Sequence, residues 1–494
     1  MVSGDEMAGR CAGEHKENEK ESLAHLPVTM QSANRLVHEI LFDYNQPAIL
    51  KSSQVPLGGF VTNQFYVAVI GAGPAGLFGA RELANLGARV VLFNRDLKPG
   101  GLAEYGIYPN KHTMKNGLRK QFKQVLDIPN LTYYGNISIG EQADLSLNDL
   151  RALGFQAILV TSGAQGTKWL GLPGEDLTGV YHAKDVVYFY NQLPPYSQQN
   201  FRFGKHCAVI GAGNVMLDIV HFLSREEKVE EVTAVVRRGP AEIKFDKKEM
   251  EYVIDNLDHA ALDAEIQRVT PIMQAVHQDP EAARASILEA LPKALPKVSN
   301  TKFRFEFLAS PVQMLGDADG NLTQVEIEDN ILVEAKGDTK AKGTGNKRRL
   351  DVQTVVFAIG DKVDESFGLP TEWNEFVKNP NPRFPVEGTS YESPTEDIFV
   401  GGWSRKASSG LVGLARKDGT NAAKVVWQYL QTKQPIEADI EALAEKLKSL
   451  GKPLVMKEHV KKLEEAELAQ AKQLGLEAFK YDSNDEMLKV MGLA

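Results

Sequence analysis

"AVIGAGPAGLF" occupies Ala68–Phe78, and "AVIGAGNVMLD" occupies Ala208–Asp218. Each phrase is an apolar run that closes on glycines two positions apart. Before the first glycines, "FYVAVI" predicts a buried strand, and "AGLFGARELANLG" after them predicts an amphipathic helix. "ARVVLFN" then returns as a second strand, which completes a βαβ unit. The second phrase lies in the same frame, with "HCAVI", "GNVMLDIVHFLSREE" and "EVTAVVRR" in sequence. Two such units predict an α/β fold with two Rossmann-like dinucleotide-binding domains, each holding its ligand at the carboxyl edge of its first strand.

Two further apolar strands, "AILVTSGA" (Ala157–Ala164) and "TVVFAIGD" (Thr354–Asp361), end in similar turns and bracket the second unit. The simplest topology is a first domain interrupted by an inserted second one. The chain leaves near Gly163 and returns near Gly360. The spans expected are 65–163 and 357–435 for the first domain and 164–356 for the insert. Within the insert, "FRFEFLASPVQMLGDADGNLTQVEIEDNILV" predicts antiparallel strands around the "DADGN" turn, and "GDTKAKGTGNKRR" reads as a loop. "IEADIEALAEKLKSLG" and "EHVKKLEEAELAQAKQLG" predict a surface-packed helical extension over 436–494.

Bulk properties narrow the chemistry. The 494 residues suffice for two or three domains with full cores. A net charge of -9 without a long basic block argues against a nucleic-acid partner. No apolar run approaches the roughly 18 residues of a membrane span. The only cysteines are Cys11 and Cys207. They form neither a Cys-x-x-Cys pair nor an all-cysteine metal or iron–sulfur site, so redox chemistry needs a bound cofactor. Cys207 opens an apolar run and reads as a small core residue. Residues 1–64, beginning "MVSGDEMAGRCAGEHKENEKES", read as a solvated, partly disordered extension. It has no secretory apolar core, and its acids disfavour a mitochondrial transit peptide, so a cytoplasmic address is expected.

In Gly71-Ala-Gly73-Pro-Ala-Gly76, the first glycine permits a tight turn and the second admits a pyrophosphate. The third lets helix and strand pack closely. The phosphate then meets free amides at a positive helix end. Asn94 stands where an acid would bind ribose hydroxyls. It can still accept a hydrogen bond through its amide oxygen, and Asp96 is an alternative. In the second motif, Gly211-Ala212-Gly213-Asn214-Val215, Met216 replaces the third glycine. Arg237 and Arg238 end the returning strand, where guanidinium groups suit the 2′-phosphate of NADP.

These motifs resemble the adrenodoxin-reductase type of ferredoxin–NADP reductase, flavoproteins of the glutathione-reductase-like fold. The likeness runs from Phe65 to the end. It is carried in order by "VIGAGPAGL", "GGLAEYGIYPNKHTMKN", "YYGNISIG", "VTSGAQGTKWLGLPGEDLTGVYHAKD", "VIGAGNVMLD", "VRRGPAEIKFDKKEM", "FLASPVQML", "GGWSRKASSGLVG" and "KYDSNDEMLKVMG".

The resemblance implies FAD on the first domain near Ala75, Asn94, Leu102 and Ile139. Gly402-Trp403 and Gly410-Leu411-Val412 would then lie on the flavin. NADP would lie on the insert against Gly211–Val215, Arg237, Arg238 and Glu249, with Gly410 near its nicotinamide. The expected function is transfer of electrons from NADPH through FAD to a ferredoxin or flavodoxin, and no catalytic side chain is required. Three departures fall where the family surrounds the flavin and nicotinamide. These are Lys406-Ala407-Ser408 for Arg-Gly-Pro, Lys111 for a histidine, and Glu104 for an arginine. The alternatives are a flavin subunit like the small subunit of glutamate synthase, and a dinucleotide sensor without electron transfer.

Overall fold

A computed structural model describes residues 64–335, 337–436 and 439–494. The amino-terminal extension up to residue 63, with Cys11, lies outside the described residues.

The elements that place the sites begin with β1 (Tyr66–Ile70), α1 (Pro74–Asn85), β2 (Arg89–Asn94), α2 (Leu102–Tyr105), α3 (His112–Leu126), β3 (Leu131–Gly135) and β4 (Ala157–Val160). β5 (Val180–His182), α4 (Ala183–Tyr190), β6 (His206–Ile210), α5 (Asn214–Arg225), β7 (Glu231–Val236) and α6 (Lys247–Met250) follow. Then come β8 (Lys302–Phe307), β9 (Ala309–Gly316), β10 (Leu322–Ala335), β11 (Asp338–Asp351), β12 (Thr354–Phe357) and β13 (Ile398–Val400). Helices α7 (Val412–Leu430), α8 (Ile440–Ser449), α9 (Lys457–Leu474) and α10 (Asn484–Met491) complete the fold.

The first sheet has the order β13-β4-β1-β2-β3, and every pair is parallel. All five residues of β1 are buried, as expected of a strand covered on both faces. Val67 and Val69 join a core with α1 and α7, whereas Tyr66, Ala68 and Ile70 face Leu147, Leu150 and α8. The second sheet, β5-β12-β6-β7-β8, is also parallel. Cys207 and Val209 pack on α5, and Ala208 and Ile210 pack on the β9–β10 ribbon. Burial pushes the Cys207 thiol up to about 12, so it is an inert core group.

All strands of the second sheet fall between β4 and β13 of the first. The two connecting stretches pair where they cross: Gly166 and Lys362 exchange N–H···O bonds of 2.8 and 3.1 Å.

Three expectations need correction. "GDTKAKGTGNKRR" is strand, not loop: a turn at Gly337 (φ +81°) sends β11 back along β10, from Ala335–Asp338 to Gln324–Asp351. β11 is an edge strand with most side chains in solvent, so it carries no alternating apolar pattern. "KFRFEF" is not an arm of the antiparallel ribbon; it adds to the second sheet parallel to β7. The carboxyl-terminal extension is not a surface layer alone. Val455, Val460, Leu463, Met487 and Met491 are buried in the core that contains α1. Among the described residues, no helix is long and apolar enough to cross a membrane.

Candidate dinucleotide sites

The first glycine turn joins β1 to α1. Gly71 has φ +100°, and a Cβ there would lie 2.6 Å from the Thr161 carbonyl oxygen. A Cβ on Gly76 would lie 1.8 Å from the Gly71 oxygen, so helix and strand touch backbone to backbone. Thr161 locks the turn, since its hydroxyl donates to the carbonyls of Ile70 (2.9 Å) and Gly71 (3.0 Å). Gly73 differs: an added Cβ meets nothing within 4 Å. It is the N-cap of α1, with Pro74 following, so open space lies in front of a helix N-terminus.

Asn94 does not present its amide to that space. It is 6% exposed; its Oδ1 accepts from the Ala72 N–H at 3.0 Å, and its Nδ2 donates to the carbonyls of Asp96 and Lys98. In this arrangement Asn94 holds the turn. Asp96, the alternative, pairs with Arg95 at 3.1 Å. Ile139 is likewise a core residue. Leu102 is half-buried at the start of α2.

The sequence reading gave no role to Gly100 and Gly101, which press on this turn. The Gly100 N–H donates to the Ala72 carbonyl at 2.7 Å, and a Cβ on Gly101 (φ +50°) would lie 3.0 Å from the Gly73 Cα. Adjacent glycines after the second strand were the available signal.

Ala75 is covered by the carboxyl-terminal part of the fold. A Cβ on Gly402 (φ +64°) would be 2.6 Å from the Ala75 Cβ, and one on Gly419 would be 2.0 Å from the Ala75 carbonyl. Asp418, also unassigned from the sequence, ties this corner together. It accepts from the Gly402 N–H at 2.6 Å, from Arg405, and from the Tyr391 hydroxyl. The Trp403 indole donates to the Ser409 carbonyl at 3.0 Å. Gly410 (φ +78°) leads into α7, whose N-cap Leu411 is exposed and supplies no side-chain cap. Amides in the first turn, from Val412 on, are thus left for another acceptor.

The Lys406-Ala407-Ser408 departure has a visible consequence. Ser408 Oγ accepts from the Asp361 N–H at 2.8 Å, and Ser404 Oγ accepts from the Gly163 N–H at 2.9 Å. The loop before α7 thereby touches the ends of both crossing stretches. Asp361 is mostly buried there, and that burial raises its carboxyl to about 6.

The second turn joins β6 to α5. A Cβ on Gly211 would lie 2.4 Å from the Ala358 oxygen, whereas one on Gly213 meets nothing within 4 Å. Ala212 accepts from the Lys244 N–H through its carbonyl. Asn214 and Asp246 bond reciprocally, at 2.8 Å through the Asn214 amide and 2.7 Å through the Asp246 N–H. Val215 is exposed and Met216 fully buried. Arg237 is exposed at the strand end. Arg238 turns toward the β10–β11 hairpin, 3.5 Å from Asp338, and donates to the Thr339 carbonyl.

Glu249 is engaged by Lys111 through both carboxylate oxygens, at 2.7 and 2.9 Å. Lys111 also sits 5.1 Å from the Tyr252 ring centre. Glu104 lies elsewhere than expected. It is 1% exposed and enclosed by Lys98, Arg119 and Lys480.

Two parallel sheets, each with an open glycine cradle at a helix N-terminus, define a two-nucleotide oxidoreductase architecture. Residues 65–277 match the model of the pyridine nucleotide-disulphide oxidoreductase family. The chain is 30% identical to the mitochondrial NADPH:adrenodoxin oxidoreductase of Arabidopsis thaliana, covering 83% of this chain and 91% of that one. It is 27% identical to the NADPH-ferredoxin reductase FprA of Mycobacterium leprae, covering 86% and 98%. The structure of Mycobacterium tuberculosis FprA in complex with NADPH superposes with a TM-score of 0.73 at 24% identity, over 87% of this chain and 99% of that one. The chain belongs to the family of NADPH:adrenodoxin and NADPH-ferredoxin reductases.

Proposed function

We propose that the chain binds FAD at the first turn, takes electrons from NADPH at the second, and passes them singly to a ferredoxin or flavodoxin. The observation that carries this reading is the pair of open cradles at Gly73 and Gly213, on sheets whose connecting strands cross at one seam. A pyrophosphate fits both places, because the flanking Gly71 and Gly211 are closed by backbone while the cradle glycines are free. The FAD part comprises 65–163 and 357–435, and the NADP part comprises 164–356.

Bound FAD supplies a centre that accepts an electron pair and releases it one electron at a time. The chain's own residues bind and orient. Ala75, Leu102, Gly402 and Trp403 border the first cradle, while Gly410, Leu411 and Val412 offer α7 amides to developing negative charge. Gly211, Ala212, Gly213, Asn214 and Val215 form the second cradle. Arg237, unpaired among the described residues, is placed for a 2′-phosphate. Exposed Leu411 and Val215 supply apolar surface that excludes water once the nucleotides are bound. Ser404 and Ser408 hold the crossing strands in register with the loop before α7.

Purified protein mixed anaerobically with NADPH tests this: the yellow flavin band bleaches, and added ferredoxin or flavodoxin is reduced. A colourless preparation that cannot be reconstituted with FAD overturns the reading. A flavin that NADPH does not bleach favours the sensor, and bound iron with labile sulfide favours the glutamate-synthase-like subunit. The cytoplasmic address is part of the same proposal, and cell fractionation checks it.

A further inference from the structure

Beneath the first glycine turn lies a cluster of ionisable side chains that the electron-transfer reading does not use. Lys98 and Glu104 are each 1% exposed, and Lys115, Glu467 and Lys480 are all under a tenth exposed. Arg119 closes one side, donating to Glu104 at 2.5 and 2.8 Å. Lys98, Glu104, Lys115 and Arg119 come from the stretch around α2 and α3. Glu467 and Lys480 come from the carboxyl-terminal extension, from α9 and from the segment that follows it.

Two routes run from these terminal residues to the turn. Lys480 Nζ donates to the Glu104 carbonyl at 2.9 Å and lies 3.1 Å from its carboxylate. The Glu104 N–H donates to the Gly101 carbonyl, and Gly100 and Gly101 press on Ala72 and Gly73. On the second route Glu467 pairs with Lys98, the Lys98 carbonyl accepts from Asn94, and Asn94 accepts from the Ala72 N–H. Lys480 also donates to the Asn191 carbonyl at 3.1 Å, at the end of α4. Asp482, two residues on, accepts from Ser197 and Gln198.

A buried charge is tolerated only while its partners remain, and removing one leaves the other uncompensated. Burial pushes the Glu104 carboxyl up, but Lys98, Lys480 and Arg119 hold it well below the usual range. Burial and the neighbouring Lys480 bring Lys115 down to about 6. Lys98, Lys480 and Arg119 thus surround Glu104, and Lys98 also reaches Glu467.

We infer that Lys480 and Glu467 are positioning residues for the first nucleotide site. They act through Glu104 and Lys98 to hold the Gly71–Gly76 amides in the geometry that receives a pyrophosphate. The identity of that nucleotide rests on the function proposed above; the positioning itself does not.

Full-length Lys480→Met, Lys480→Arg and Glu467→Gln variants test it. In nucleotide-free protein, Lys480→Met speeds amide hydrogen exchange over 71–76 and 100–105 by about tenfold or more, while 211–216 exchanges as in the parent. Its FAD dissociation constant rises by about tenfold or more and that for NADP⁺ stays within about twofold. Glu467→Gln shifts both readouts in the same direction, and Lys480→Arg stays near the parent.

Where Lys480→Met fails to fold, the Glu104→Gln/Lys480→Met double variant removes the stranded carboxylate, and the same readouts decide. Unchanged exchange over 71–76, equal acceleration over 211–216, or failure of both variants to fold overturns the inference. A parent protein that binds no FAD defeats the proposed function instead, and the exchange comparison still decides the positioning role.

Discussion

The two eleven-residue phrases share their first six letters and then diverge, and each divergence changes how open the turn is. Gly76 becomes Met216, Ala75 becomes Val215, and Phe78 becomes Asp218. In the first unit α1 touches its own turn through Gly76, is roofed by Gly402 and Gly419 of the last third of the chain, and buries Phe78. In the second, Met216 fills the space between helix and sheet, Val215 faces solvent, and α5 carries a carboxylate one turn in. The first helix start is roofed by distant parts of the chain, whereas the second leaves Val215 in solvent.

Gly76→Ala should break the comparison most severely. Its Cβ falls 1.8 Å from the Gly71 backbone oxygen, which no rotamer change relieves, so a loss of about 4 kcal/mol or more in unfolding free energy is expected. Met216→Ala only empties a packed site and should cost about 2–4 kcal/mol. Urea unfolding of both variants checks the order. A Gly76→Ala protein within about 1 kcal/mol of the parent would show that α1 can move off its turn.

The cradle glycines give the next largest effect, on binding rather than folding. Gly73 and Gly213 have extended backbone (φ -76° and -111°) and open space where a Cβ would go. Gly73→Val and Gly213→Val should fold normally. The first should weaken FAD by roughly a hundredfold with NADP⁺ little changed, and the second should do the reverse, each a loss of about 3 kcal/mol in affinity. Titration of each nucleotide separates them, and a variant that weakens both ligands equally would mean that the two sites are not independent.

How far the sequence carried follows from the same positions. Strand–turn–helix units were legible because apolar runs and glycine spacing are local, and the crossing points near Gly163 and Gly360 showed as apolar strands ending in turns. What closes the first site was not legible. Asp418, Gly419, Glu467 and Lys480 reach it from more than 300 residues away in sequence, and nothing local marks such contacts. Asn94 was placed correctly at the end of β2, but its amide's direction depends on Ala72 and Lys98. β11 was missed because an edge strand with both faces in water has no apolar period to read.

Nucleotide choice at the open site is a smaller effect. Arg237 is exposed and Arg238 is partly committed to Asp338 and Thr339. Arg237→Ala should raise the NADPH KM roughly tenfold and the NADH KM hardly at all, with Arg238→Ala doing less. Steady-state kinetics with both nucleotides decides; parallel rises would remove the 2′-phosphate from the account.

The last divergence, Phe78 against Asp218, predicts a pH signature confined to the second unit. Burial raises the Asp218 carboxyl to about 7, although Lys111 pulls it down. An aspartate in the unfolded chain titrates near ~3.9. Between those values the folded protein binds the extra proton, so this group's contribution to stability falls as pH rises from about 4 to about 7 and stays at its lowest above that. Asp218→Asn removes this dependence. It should be on the order of 2 kcal/mol more favourable, relative to the parent, at pH 8 than at pH 4.5, allowing for the partial exposure of the side chain. Thermal unfolding at the two pH values measures the difference. An offset that does not change with pH would show that Lys111 and Glu249 already balance the carboxylate, leaving the second helix as electrostatically quiet as the first.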